Sequence, residues 1–134
     1  MTSSFPLASD LARSTAAAVT AEMLVTFCPQ GEPAPRRFRL GVAALGALLE
    51  GTDPETVVAY LQFWCLLLGG VLPPLEQSGL DGPDLEFLLS CRSRPVDEVT
   101  QPPPPSTVRW LDRETRAVAE RPLKALDFLR STVQ

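Results

Sequence analysis

The sequence contains no histidine and only three cysteines among its 134 residues. Cys28, Cys65 and Cys91 lie 37 and 26 positions apart and form no C-x-x-C pair. Neither a metal site nor a cofactor is therefore expected. The odd number of cysteines fits free, mostly buried thiols in a reducing compartment. The first residues also lack the charged region and apolar core of a secretory signal peptide, so a cytoplasmic location is expected.

Long hydrophobic runs and an excess of positive charge are also missing. The most apolar stretch covers residues 57–72 and is interrupted by Gln62 and two glycines, whereas a membrane-spanning helix needs about 20 apolar residues. The formal net charge is −4. Domains that grip the phosphate backbone are usually basic, so direct nucleic-acid binding by this chain alone should be weak or absent.

No pattern typical of catalysis is found. The sequence has no glycine-rich phosphate loop after a strand and no carboxylate pair in an apolar helical setting. Asp84, Glu86 and the pair Asp97-Glu98 are interpreted as first-turn and loop charges, and Cys65 lies in so apolar a segment that its thiol should be inert. The chain is not expected to be an enzyme.

Proline is abundant, and its fourteen occurrences cluster between helical patterns. Residues 1–9 are predicted to be a tail, and residues 10–134 a single helical domain with a proline-rich connector at 95–105. The run "QPPPP" favours a polyproline II spacer; an SH3-type ligand is the alternative. Helices are predicted over about 10–27, 35–50, 54–68, 83–94, 106–121 and 122–132.

The fold class follows from periodicity, because no strand pattern competes with the helical one. The helix at 54–68 is apolar on nearly all sides and should be surrounded by the others. We predict an all-α fold, a compact bundle of five to six helices around this central helix. The predicted buried positions of the others are Ala12, Ala16, Val19, Met23 and Phe27; Phe38, Val42, Leu45 and Leu49; Leu85, Leu88 and Leu89; Val108, Leu111, Thr115 and Val118; and Leu123, Leu126 and Leu129.

The end of the chain, "ERPLKALDFLR", contains a proline inside an otherwise continuous helical pattern. Proline removes a backbone donor and stops or bends a helix, but it is favourable at a first helical position. We therefore expect the helix to stop before Pro122 and a last helix to restart there, closing the bundle as a latch. Lys124 should point outward.

Several segments resemble the helical domain of the bacterial DNA repair family RecO. That family has a pattern F-E-x-x-L-L-x-x-x-G-(hydrophobic)-x-P, which Leu61-Gln62, Cys65-Leu66, Gly70-Val71 and Pro73 follow in part. "LLEGTDPETVVAYLQF" is similar to the family's turn before this helix, and Glu22 falls where an acidic residue is frequent. "RPLKALDFLR" resembles the terminal P-L-K-S-x-x-F-L motif, with Ala125 in place of serine.

The chain also departs from the RecO pattern. The family begins with an oligonucleotide-binding barrel, and nothing rich in strands precedes the first helix here. Many members carry a four-cysteine zinc finger where this sequence has "EQSGLDG", and a frequent basic residue is replaced by Ala59 and Tyr60. The chain looks like a RecO helical domain without barrel or finger, either a fragment or a reduced stand-alone homologue.

The resemblance implies a recombination mediator that docks protein partners. RecO-type proteins work with RecR and with the acidic, phenylalanine-ended tail of single-stranded DNA-binding protein. Such a tail needs an apolar contact beside cations. The partner-binding candidates form two clusters, which are Arg36, Arg37 and Arg39 beside Phe38, and Lys124 and Arg130 beside Phe128.

A helical scaffold or regulatory module unrelated to DNA repair is the alternative function. Such a module would dock through the surfaces around Trp64 and Trp110, the latter predicted to be half-buried. Binding of an acidic tail peptide would distinguish the two readings.

Overall fold

The computed structural model describes residues 4–27 and 35–133, and within these ranges the chain is all-α, as predicted. Its helices are α1 (Ser4–Phe27), α2 (Pro35–Leu49), α3 (Pro54–Leu68), α4 (Gly82–Ser93), α5 (Pro105–Val118) and α6 (Lys124–Val133), with short 3-10 turns at Leu75–Gln77 and Val96–Glu98. None of the helices in these ranges combines the length and the hydropathy needed to cross a bilayer. Cys28 lies outside the described residues.

Helix α3 is the centre of the bundle, as its composition predicted. Every residue from Thr56 to Phe63 is buried, and so are Cys65 and Leu66. α3 packs against α1, α2, α4 and α5, and α1 also packs against α2 and α6. Pro54 lies in the first turn, where no intrahelical partner for its nitrogen is needed.

Helix α1 begins earlier than predicted, at Ser4 rather than near Asp10. Asp10 therefore lies inside the helix and does not start it, and α1 extends into the segment that the sequence assigned to a tail. Proline is tolerated in a first helical turn, so Pro6 does not prevent this earlier start. The predicted stripe is confirmed at its centre, where Ala16, Val19 and Met23 are fully buried.

The predicted buried face of α2 is wrong. Phe38, Val42, Leu45 and Leu49 are exposed, and the residues turned inward are Leu40, Gly41, Ala44, Ala47 and Leu48. The reason is close packing of α2 on α1 and α3. A Cβ at Gly41 would collide with the Leu24 side chain of α1, so the centre of the contact is made by Gly41, Ala44 and Ala47, with Leu40 and Leu48 buried at its two ends.

Helices α4 and α5 also differ in part from their predicted faces. Leu89 and Val118 are exposed, whereas Phe87, Cys91 and Trp110 are buried. Asp84, interpreted as an ordinary first-turn charge, is buried because it links two helix starts. It accepts hydrogen bonds from Ser106 Oγ at 2.6 Å, from the Thr107 hydroxyl and from the Asp81 amide at 3.1 Å.

The proline break near the end of the chain separates α5 from α6. α6 begins at Lys124, so Pro122 lies in the connection and does not occupy the first helical position that the sequence predicted. The latch itself is confirmed, because Leu123, Leu126 and Leu129 are buried. The first amides of α6 are covered by Glu22 from α1 rather than by a local cap.

Candidate partner-binding surface

The first two turns of α2 carry two exposed cations and an exposed aromatic side chain. Arg36 and Arg39 are exposed, and the Phe38 side chain between them is 69% exposed. These residues are available because α2 turns its other side, centred on Gly41, Ala44 and Ala47, toward α1 and α3. The combination can accept carboxylates through the guanidinium forks and an apolar group through the ring.

Arg37, the third arginine of this predicted cluster, has a structural contact. Its Nη2 donates to the backbone oxygen of Leu68 at 3.2 Å, at the end of α3. The last carbonyls of a helix have no partner within the helix, and a cation there is also favoured by the helix dipole. Arg37 thus ties the start of α2 to the end of α3.

The members of the second predicted cluster, on α6, differ in their exposure to solvent. Lys124 is exposed and Phe128 is half-exposed. Arg130, by contrast, is engaged with carboxylates of two other helices. Its Nε lies 2.6 Å from Asp112 Oδ2 on α5, and its Nη1 lies 2.7 Å from Glu55 Oε1 on α3.

The environment of Arg130 keeps its charge and fixes its position. Burial disfavours the charged guanidinium, but the carboxylates of Asp112 and Glu55 outweigh that cost and raise the pKa of Arg130. Gln62, fully buried on α3, extends the group by donating from Nε2 to Asp112 Oδ1 at 2.8 Å. We name Arg130, Asp112, Glu55 and Gln62 the α3–α5–α6 clasp.

The clasp borders a cleft of about 420 Å³. Its apolar lining comes from Pro102, Pro103, Pro105, Val108 and Leu129, and its charged lining from Asp53, Glu55, Arg109 and Arg130. Because two acidic and two basic side chains share the cleft, it has no net preference for an acidic peptide. The exposed arginines of α2 favour such a ligand more strongly.

The alternative docking surface at the tryptophans is not exposed as expected. Trp110 is only 4% exposed, so the prediction that it is half-buried is wrong. Trp64 is partly buried, and its Nε1 donates to the backbone oxygen of Cys91 at 2.8 Å. Burial raises the pKa of the Cys91 thiol to about 12, which keeps it protonated at neutral pH.

The sequence interpretation missed most of the exposed face of α2. Phe38, Val42, Leu45 and Leu49 have exposed fractions of 69%, 55%, 41% and 86%. We name these four residues the α2 face. The stripe Leu40, Ala44, Ala47 and Leu48 has the same helical period, and only the two alanines at its centre indicated that α2 packs closely with that side.

The fold and these contacts define a compact all-helical domain with a basic and apolar surface on one helix. Among the described residues no group of histidine, cysteine or acidic side chains is arranged to hold a metal ion. The chain belongs to the family described as "Recombination protein O C terminal", whose model matches residues 8–132. The resemblance to RecO is therefore confirmed.

A curated relative agrees with the family match. The chain is similar to DNA repair protein RecO of Syntrophobacter fumaroxidans (strain DSM 10017 / MPOB), with 28% identity over 137 residues. The aligned region covers 94% of this chain and 55% of that protein. The chain thus spans about half the length of the curated relative that it matches. No solved structure matches the chain.

Proposed function

We propose that this domain acts in DNA repair and recombination as a non-enzymatic module that docks protein partners. By analogy with RecO, the partners are RecR and the acidic, phenylalanine-ended tail of single-stranded DNA-binding protein. Family membership supports the repair role. The observation that carries the docking role is that Phe38, Arg36 and Arg39 are all exposed on the first two turns of α2.

The chemistry of this surface fits an acidic tail that ends in phenylalanine. The two aromatic rings bury apolar area against each other, and rings in such pairs attract further through edge-to-face or offset packing. The tail carboxylates accept charge-assisted hydrogen bonds from Arg36 and Arg39, which are stronger than hydrogen bonds between neutral groups. Because both arginines are exposed, the binding should weaken as salt screens their charges.

The α2 surface is favoured over the α6 cluster because of the contacts of Arg130. A tail bound at Phe128 would have to take this guanidinium from Asp112 and Glu55, which hold it at 2.6 and 2.7 Å. Breaking a largely buried ion pair leaves an uncompensated carboxylate and is costly. Lys124 would then be the main cation left for the ligand.

The test is a titration of a fluorescein-labelled acidic tail peptide, followed by fluorescence anisotropy. Wild type should saturate in the micromolar range, and Arg36→Glu/Arg39→Glu and Phe38→Ala should each weaken binding about tenfold or more, equivalent to about 1.4 kcal/mol. The matched control is Arg92→Glu/Arg94→Glu, which changes the same charge at exposed positions near the end of α4.

Three results would count against this assignment. No saturable binding by wild type at tens of micromolar would remove the tail as a ligand. If the control weakened peptide binding as much as the α2 variants, the loss would come from the change in net charge and not from the α2 site. Weakening by Lys124→Glu but not by the α2 variants would move the site to α6. Copurification with RecR from the chain's own cells tests the second partner.

A further inference from the structure

The α2 face has more apolar surface than the docking of one terminal phenylalanine requires. Its four side chains extend over three helical turns, and Leu49, at the opposite end from Phe38, is the most exposed of them. Contiguous apolar surface of this kind on a folded protein usually marks an interaction site. The length and regular spacing of the face indicate a helix as its occupant.

The spacing of the α2 face is the one by which two helices pack along a common seam. Phe38, Val42, Leu45 and Leu49 follow one another at intervals of four, three and four positions, which is the alternation of the two core positions of a heptad. We propose that the α2 face packs antiparallel against the α2 face of a second copy of this chain, forming a two-fold symmetric dimer.

Antiparallel pairing makes the α2 face complementary to itself. Phe38 then lies opposite Leu49 of the second copy, and Val42 lies opposite Leu45, so a larger and a smaller side chain meet at each level. A two-fold axis uses the same patch on both protomers, and this is the commonest symmetry of soluble oligomers. A parallel pair would instead place Phe38 against Phe38, and it would leave the Arg39–Glu50 flanks of the two copies on opposite sides of the seam.

The charges beside the α2 face support the antiparallel choice. Arg39 on α2 and Glu50, the residue directly after α2, are both exposed and lie eleven positions apart, about three turns of 3.6 residues. The Glu50 amide still donates to Gly46 O at 3.0 Å as in a helix, so the two residues share one flank. In the antiparallel dimer this flank meets the same flank of the second copy, with Arg39 within one turn of the opposing Glu50. Symmetry repeats the pair, and the antiparallel helix dipoles also attract.

This dimer covers Phe38, so self-association and binding of the acidic tail would compete for α2. A dimer would be the closed state, and a monomer the state open to the tail. The dimer does not depend on the proposed repair function, because its seam is specified by Val42, Leu45, Leu49 and Glu50 as well as by the residues of the tail site.

The experiment is sedimentation velocity of the full chain at concentrations from about 1 to 200 µM. This range suits a dimer held together by an interface of modest size. Wild type should shift from monomer to dimer as concentration rises. Leu49→Asp should raise the dissociation constant of the dimer about tenfold or more. Leu89→Asp, at an apolar side chain of α4 that is 53% exposed, is the matched control and should leave the dimer unchanged.

A charge exchange tests the orientation. Arg39→Glu and Glu50→Arg should each weaken the dimer severalfold, and the double variant Arg39→Glu/Glu50→Arg should restore it, because the pair is re-formed with reversed sign. Circular dichroism checks that each variant is folded. Monomeric wild type at 200 µM, or a dimer that neither Leu49→Asp nor the charge variants weaken, would overturn the proposal.

The same variants separate this proposal from the tail site. Leu49→Asp leaves Arg36, Phe38 and Arg39 in place, so it should bind the tail peptide at least as tightly as wild type while failing to dimerise. Dimerisation without peptide binding would reject only the proposed ligand. Peptide binding without dimerisation would reject only the second copy.

Discussion

Glu22 and Ala125 are separated by 103 positions in the sequence, and the Glu22 carboxylate accepts a hydrogen bond from the Ala125 amide at 2.9 Å. Its other oxygen accepts from the Leu126 amide at 3.2 Å. The first amides of a helix have no partner within the helix, and a negative charge there also interacts favourably with the helix dipole. Glu22 thus acts as an N-cap that α1 supplies to α6.

The first prediction concerns this cap. Glu22→Ala should lower the free energy of unfolding by about 1–2 kcal/mol, the range for loss of an N-cap side chain. Glu22→Gln keeps an acceptor but loses the charge, and should cost less. Urea denaturation measures both. Glu86→Ala, an exposed glutamate of α4, is the matched control and should stay close to wild type.

Hydrogen exchange gives a local test of the same cap. In Glu22→Ala the amides of Ala125 and Leu126 should exchange faster than in wild type. The exchange rates of amides in the middle of α3 should change only as far as the free energy of global unfolding changes. Unchanged exchange at both amides, together with an unchanged urea midpoint, would mean that the first turn of α6 does not depend on Glu22.

The second prediction concerns the α3–α5–α6 clasp. Arg130→Met should lower the free energy of unfolding by about 3–5 kcal/mol, because it removes the closest cation of the buried Asp112 carboxylate and leaves it only the more distant Arg116, at 3.8 Å. Arg113→Met is the control. Arg113 is a 69% exposed arginine of α5 whose ion-pair distance to Glu114 is 3.8 Å, and exposed pairs contribute about 0–1 kcal/mol.

A double-mutant cycle tests whether Arg130 acts through Asp112. The double variant Arg130→Met/Asp112→Leu removes both charges, so it should recover a large part of the stability lost in Arg130→Met alone. Additive losses in the cycle would show that the two side chains do not act as a pair.

The third prediction uses the lowered pKa of Asp84. Burial opposes ionisation of this carboxyl, but hydrogen bonds from Ser106, Thr107 and the Asp81 amide outweigh it and hold the pKa of Asp84 below its ordinary value. An aspartate in the unfolded chain has a pKa of about 3.9. Asp84 therefore stabilises the fold above that pH, and the contribution is lost as pH falls through the lower folded-state pKa.

Asp84→Asn removes this pH-dependent contribution. The variant should be less stable than wild type at pH 7, and the difference in unfolding free energy should shrink as the pH falls below about 4. Urea denaturation at pH 7, 5 and 3.5 measures it, with Asp97→Asn, an exposed aspartate, as the control. A difference that stays constant over this range would contradict the role assigned to the charge.

The sequence predicted the central helix reliably because nearly every face of α3 is apolar, so no choice of face was needed. It failed on α2, where two stripes with the same period compete. Periodicity does not state whether a helix will pack closely through Gly41 and Ala44 or at a greater distance through Phe38 and Val42. That choice depends on the shape of α1 and α3, which only the folded chain provides.

The candidate site shows the same limit. Arg36 and Arg130 are both arginines near a phenylalanine in the sequence, and nothing local distinguishes them. Arg130 is engaged because Asp112 and Glu55 reach it from other helices, while the tertiary partner of Arg37 is a carbonyl at the end of α3. Long-range partners of this kind leave no mark on the spacing of a single sequence.

The last prediction concerns Gln62, which stands where RecO proteins often have the glutamate of the F-E pair. Its Nε2 donates to Asp112 Oδ1 in a fully buried position. Gln62→Glu would place a second carboxylate against Asp112, so the folded-state pKa of the new group should rise above its unfolded value of about 4.3. The variant should therefore match wild type best near pH 4 and lose stability as the pH rises, by about 1.4 kcal/mol for each unit of pKa increase.

Gln62→Met is the control, because it removes the hydrogen bond without adding charge. It should show a loss of unfolding free energy that does not depend on pH. Urea denaturation of the three proteins from pH 4 to 8 measures this, and a Gln62→Glu deficit as flat as that of Gln62→Met would mean that Arg130 neutralises both carboxylates.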